Sequence, residues 1–239
     1  MKTPIIRTLG GVVAAAGLFC ATAVNASVVF TETVLSGDAQ VFNNGTLIQA
    51  NNIGSGATPT TINGVSFGND HTGLAAQTMY YHTQTVSGFS TEMETMLNSY
   101  VKPSYQYNSA FEYSGSLTIS GLTIGNDYRI QLFVALTGNS NPAANFNLEN
   151  AGFYSMTDWA PGAMNLSGVW TATDDTMNLT IGQTFSQTQY LYTVLNGYAL
   201  HDVTGVEAIP STAGASVPLP GSGLLMLIGM LGLARFARR

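Results

Sequence analysis

The chain has 239 residues, 8% of them charged and 45% apolar, with 26 glycines and one cysteine. Five of its seven basic residues lie at the two ends, so residues 27–209 hold only Lys102 and Arg129 against thirteen acids, a net charge of −11. Such a segment repels phosphate backbones, which excludes nucleic acid as a partner. Its lack of cysteine excludes disulfides and thiolate metal sites.

Residues 1–26 read as a signal peptide. Lys2 and Arg7 supply the positive start, residues 9–23 the apolar stretch, and Val24-Asn25-Ala26 the small-residue cleavage site. Signal peptidase is the implied partner, cutting between Ala26 and Ser27. A lipoprotein reading through Cys20 is the weaker alternative because Phe19 precedes the cysteine. An uncleaved anchor fits poorly with so short an apolar run.

From residue 27 to residue 209 the pattern is that of one extracellular β domain, with short strand-like runs broken by Gly, Asn and Ser. Strands are expected at 27–35, 45–51, 60–67, 111–120, 128–136, 176–182 and 190–203. Asn63-Gly64 marks a hairpin turn within the third run. One helix is expected where Thr91 and Glu94 have capping-box spacing. Met93, Met96, Leu97 and Tyr100 would form its apolar face and Pro103 its stop. Tyr113, Gly115, Leu117 and Ile119 alternate with Ser and Thr, as in a strand with one buried face. The run 129–134 is more continuously apolar and reads as a central strand. One helix among seven or more strands gives a mainly β, jelly-roll-like β-sandwich.

Few residues stand out as candidates for chemistry. His71, His82 and His201 are scattered, without ligand spacing, and read as packed or surface residues. Glu92 and Glu94 suit a helix start. Asp174-Asp175 most simply makes a turn, or binds calcium with oxygens such as those of Asp158 and Asn178. Unpaired carboxylates leave a glycan hydrolase as an outlying reading. Tyr80, Tyr81, Tyr105, Tyr107, Trp159 and Trp170 offer rings for a sugar platform. Asp158-Trp159, beside Pro161-Gly162, is the most loop-like of these positions and the candidate ligand-binding pair.

The chain then runs through a linker at 210–216 into Val217-Pro218-Leu219-Pro220, an apolar segment at 221–236, and the cluster Arg235, Arg238 and Arg239. As a helix, the apolar segment would span about 24 Å at about 1.5 Å per residue. That is short of a hydrocarbon core of about 30 Å, a deficit that snorkelling arginines reduce. Terminal arginines would keep this end cytoplasmic and leave the domain outside. The expected frame is therefore a β domain between a signal helix and a C-terminal transmembrane helix.

A proline motif, a short apolar helix and terminal arginines, in that order, resemble the PEP-CTERM sorting signal. The resemblance covers residues 217–239, with Leu219 standing where the family has glutamate. It implies recognition by an exosortase, removal of the tail, and delivery through the inner membrane to the cell surface or matrix, in an exopolysaccharide setting. The run Leu219-Pro220-Gly221-Ser222-Gly223 also resembles a sortase site, a second and weaker reading. Within the domain, Gly121-Leu122-Thr123 with Gly125 and Tyr128 resembles the turn of galactose-binding-like jelly rolls, in which Leu122 and Tyr128 would plug the end of the core. Three roles follow in order: a non-catalytic surface or matrix protein, a carbohydrate-binding module, and a secreted glycan hydrolase.

Overall fold

A computed structural model describes residues 27–74, 79–103, 112–137, 144–156, 162–184 and 193–206. The signal segment through Ala26, the pair Asp158 and Trp159, Tyr105, Tyr107, and the linker and sorting tail with Val217, Pro218, Leu219, Pro220 and Arg235, Arg238 and Arg239 lie outside the described residues. Ser27 is exposed. Among the described residues no helix is long and apolar enough to cross a membrane.

The domain is mainly β with one α-helix among the described residues. The first expected runs form β1 (Val29–Val34), β2 (Thr46–Asn52), and the hairpin β3 (Thr60–Ile62) and β4 (Val65–Phe67). Ile62 pairs with Val65 across Asn63 and Gly64, both at positive φ (47° and 80°). That geometry matches the right-handed twist of a two-residue hairpin. Next come β5 (Met79–Thr83), α1 (Thr91–Leu97) and β6 (Ser99–Pro103). Then follow β7 (Glu112–Ser120), β8 (Asp127–Ala135), β9 (Asn145–Leu148), β10 (Tyr154–Ser155), β11 (Ala163–Thr171), β12 (Thr176–Thr184) and β13 (Gly197–Asp202). Strands β5, β6, β9, β10 and β11 lie outside the expected runs.

The helix departs from its expected limits at both ends. Its N-cap is Ser90, whose hydroxyl accepts from Met93 N at 3.1 Å, so Thr91 lies inside the first turn. Glu94 instead turns back to accept from Gly88 N and Phe89 N, at 2.8 and 3.2 Å. At the other end the helix stops at Leu97, well before Pro103, and Tyr100 belongs to β6. The cause is tertiary: Ser99 Oγ donates to Asn52 Oδ1 and to the Ile53 carbonyl, both at 3.0 Å. These bonds help draw the backbone into extended pairing with β5.

Two antiparallel sheets face each other across a shared apolar core. One has the order β1-β11-β8-β13-β2 and the other β10-β9-β12-β7. Leu117, Ile119, Phe146, Leu179 and Ile181 from the second sheet meet Ile130, Leu132, Val134, Leu166 and Leu200 from the first. Leu122 and Tyr128 are buried at one end of this core as expected, and the Tyr128 hydroxyl accepts from Thr123 N at 2.8 Å.

Strand β8 occupies the middle of the five-stranded sheet, and its apolar continuity has a direct cause. Its even-numbered residues face the second sheet, while Phe133 and Ala135 point to the opposite side. There, with Ala50, Ala163 and Ala199, they form a low patch on which Met93, Met96 and Leu97 of α1 and Ile62, Val65 and Phe67 of the hairpin are packed. Small side chains allow that close approach. The Phe67 and Phe133 rings meet edge to face, with centroids 5.7 Å apart.

Candidate functional site

Strands β5 and β6 form a two-stranded ribbon in which Tyr80 pairs with Lys102 and His82 with Tyr100. Because side chains alternate along a strand, these four residues share one face of the ribbon. Met79, Tyr81 and Val101 take the other, and Met79 and Val101 are buried. On the first face the His82 and Tyr100 rings stack at 5.1 Å and 18°, while Tyr80 meets His82 at 6.4 Å and 71°. Tyr80 is 51% exposed. The result is a row of three rings flanked by an ammonium group.

Buried amides fix the ribbon in place. Asn52 Nδ2 donates to the Thr58 and Thr95 carbonyls while its Oδ1 receives Ser99 Oγ. Asn196, fully buried, accepts from Ala135 N at 2.6 Å and donates to the Leu97 and Ser99 carbonyls, each at 2.8 Å. It thus ties the end of α1 and the start of β6 to the central strand. All of its amide valences toward these neighbours are used, which makes the burial tolerable.

Burial, with the Lys102 charge adding to it, holds the His82 imidazole below its ordinary pKa. It is therefore neutral at neutral pH, and its Nε2 has no hydrogen-bond partner. Burial raises the pKa of the Tyr100 hydroxyl, which stays protonated. Tyr80 is the exposed ring of the row, while His82 and Tyr100 are half-buried and the His82 Nε2 is covered. An exposed phenol ring suits the C–H faces and hydroxyls of a sugar.

Of the expected platform rings, Tyr80 is surface-facing while Tyr81 turns to the other side and stacks on His71 at 5.1 Å. Trp170 has no place on a platform: it is 1% exposed and lies against Tyr128, with centroids 5.8 Å apart. With Met164 and Leu166 of the same strand it belongs to the core between the sheets. His201 is also buried, edge-on to Phe42 at 5.3 Å. Asp174 Oδ1 accepts from Thr176 N and Oγ1, at 2.9 and 3.0 Å, as a turn-forming residue does. Asn178 N donates to Glu149 Oε1 at 2.6 Å. Among the described residues no group of three or more His, Cys, Asp or Glu is placed to hold a metal ion.

His82, Tyr100 and Lys102 were missed as site residues. The signal that would have found them is the pair Tyr80-x-His82 and Tyr100-x-Lys102, each with the spacing of one strand face.

No family model and no curated protein matches the chain. Among solved structures it resembles the plant receptor-like kinase FER (TM-score 0.44, 13% identity) and the ANXUR2 extracellular domain from Arabidopsis thaliana (0.46, 11%). Each likeness covers 64% of this chain and 48% of the other. A third is to a structure of the plant peptide RALF23 in complex with FER and LLG2, at TM-score 0.44 and 13% identity, covering 70% and 52%. The chain thus spans about half the length of the chains it resembles. At these scores no ligand or role transfers.

Proposed function

We propose that this is an exported, non-catalytic surface or matrix protein that contacts exopolysaccharide through the Tyr80–His82–Tyr100 row. The exposed Tyr80 ring, set beside the stacked and half-buried His82 and Tyr100 on a ribbon held by buried amides, carries this reading. Export rests on the order of the terminal segments: a signal peptide ending at Ala26, then a PEP-CTERM-like tail with its proline motif, apolar run and arginine cluster. In this reading signal peptidase removes the first segment and an exosortase the last. The tail holds the chain in the inner membrane until then.

The finer architecture belongs to the same proposal. With β1 set aside as an added edge, β2-β13-β8-β11 facing β7-β12-β9-β10 supports a jelly-roll sandwich. The hairpin, helix and ribbon are then insertions between its first two strands.

The test pairs two measurements on the full chain. In a host with an active exosortase the mature protein should lack residues 1–26 and the apolar tail, whereas without exosortase the tail should remain. Co-sedimentation with the host's exopolysaccharide should be lost in Tyr80→Ala with Tyr100→Ala. An intact tail beside active exosortase would overturn the sorting half. Unchanged co-sedimentation would overturn the binding half.

A further inference from the structure

The sequence holds three Asn-Gly pairs, Asn44-Gly45, Asn63-Gly64 and Asn196-Gly197, and the fold treats each differently. In such a pair the glycine has no side chain to keep its own amide nitrogen from the carbonyl carbon of the asparagine side chain. How the surroundings hold the asparagine amide then decides whether the two meet. Asn196 is fully buried and spends its amide on Ala135 N and on the Leu97 and Ser99 carbonyls. Asn63 is on the surface, but its Nδ2 donates to the Val41 carbonyl at 2.7 Å and its own carbonyl accepts from Asn43 Nδ2 at 3.0 Å.

Asn44-Gly45 is the opposite case. Both residues are exposed, and among the described residues nothing hydrogen-bonds the Asn44 side chain or the Gly45 N–H. The fold also fixes the glycine. Gly45 has a φ of 83°, which L side chains rarely adopt, and a Cβ there would collide with the Asp202 carbonyl oxygen. That close approach lies at the start of β2, where Thr46 pairs with Asp202. Asparagine is among the thermolabile residues. A turn that needs glycine thus sets an unprotected Asn-Gly pair on the surface.

We infer that Asn44 is a site of spontaneous deamidation, whose product alters the entry to β2. The Gly45 nitrogen, its proton lost to solvent base, bonds to Asn44 Cγ. The Cγ–Nδ2 bond breaks and ammonia leaves. Water then opens the resulting five-membered imide at either carbonyl, giving aspartate or isoaspartate at position 44. Either product adds a negative charge to an acidic domain. Isoaspartate also inserts one carbon into the main chain beside Gly45, which loosens the pairing of Thr46 and Leu47 with β13. The site shares no residue with the Tyr80–His82–Tyr100 row, so the two readings stand or fall separately.

The test ages the full chain in detergent micelles and follows it by peptide mapping with mass detection, isoaspartate being labelled by enzymatic methylation. Asn44 should convert at least tenfold faster than Asn63 or Asn196, and its rate should rise at least tenfold from pH 6 to pH 8. In denaturing urea the three rates should come within a few-fold of one another, because every Asn-Gly pair is then equally free. Asn44→Gln, whose longer side chain disfavours the five-membered ring, should remove the signal at position 44 with an unchanged melting temperature. Aged protein should exchange its Thr46 and Leu47 amides faster than fresh protein or aged Asn44→Gln. Equal rates in the folded chain, the same preference in urea, or unchanged exchange in the aged protein would overturn the inference.

Discussion

The two faces of the five-stranded sheet use the same strands under opposite rules. Toward the second sheet, Ile130, Leu132, Val134, Leu166 and Leu200 form a continuous apolar layer. On the reverse, alanines and Phe133 accept α1 at one end, while Thr31, Ser167 and Gln131 leave a polar cleft at the other. One face packs against the second sheet, and the other carries a second apolar cluster under α1 and the hairpin together with a polar cleft. The β5–β6 ribbon lies between these cases: Met79 and Val101 enter the apolar layer, Tyr100 packs against it, and Tyr80 is presented outward.

Substitutions should separate these rules by size of effect. Leu132→Ala, in the middle of the apolar layer, should cost about 3–4 kcal/mol in denaturant unfolding, from lost transfer energy plus a cavity. A cost below about 1 kcal/mol would mean that the inner face is not close-packed. Asn196→Ala should come next, at about 2–3 kcal/mol, because it strands the Leu97 and Ser99 carbonyls and the Ala135 N–H in the interior. Amide exchange should then accelerate in β6 before it does in β8. Uniform acceleration would deny the ribbon its separate attachment.

A smaller, pH-dependent effect should follow. Burial, then the Arg129 charge, lowers the His201 pKa below its ordinary value, so the folded state resists a proton that the unfolded chain accepts near pH 6.5. The unfolded state therefore binds more protons below that point. Stability is fully present above about pH 6.5 and declines as the pH falls through it. His82 acts with the same sign from a less buried position. Melting curves between pH 7.5 and 5.5 should flatten more in His201→Gln than in His82→Gln. The reverse order would show that the ribbon, and not the buried outer face, dominates the titration.

The sequence disclosed those strands whose burial follows one simple rule. In β7, Leu117 and Ile119 alternate with exposed Ser116, Thr118 and Ser120, and in β8 both faces are covered. Strand β11 escaped because Gly168 interrupts it and reads as a turn. In the fold that glycine lets Phe30 and Leu148 close over the sheet, where an added Cβ would lie 3.1 and 3.0 Å from their side chains. Strands β5 and β6 escaped because α1 separates them and no turn signature joins them. The helix itself was legible, but its ends were not. Its cap is Ser90 and its exit is set by Asn52, distant in sequence. Of the candidate site, Tyr80 was legible as an aromatic, while its partnership with His82 and Tyr100 required the register of the ribbon.

The central claim is that ligand contact resides in side chains that the fold does not need, and Tyr80→Ala in the full chain tests it most directly. Tyr80 is half exposed and surface substitutions of this kind usually change stability by less than about 0.5 kcal/mol. Paired measurements of melting temperature and exopolysaccharide co-sedimentation should show the first unchanged and the second reduced at least tenfold. Unchanged binding, or binding lost only together with a lower melting temperature, would contradict the account.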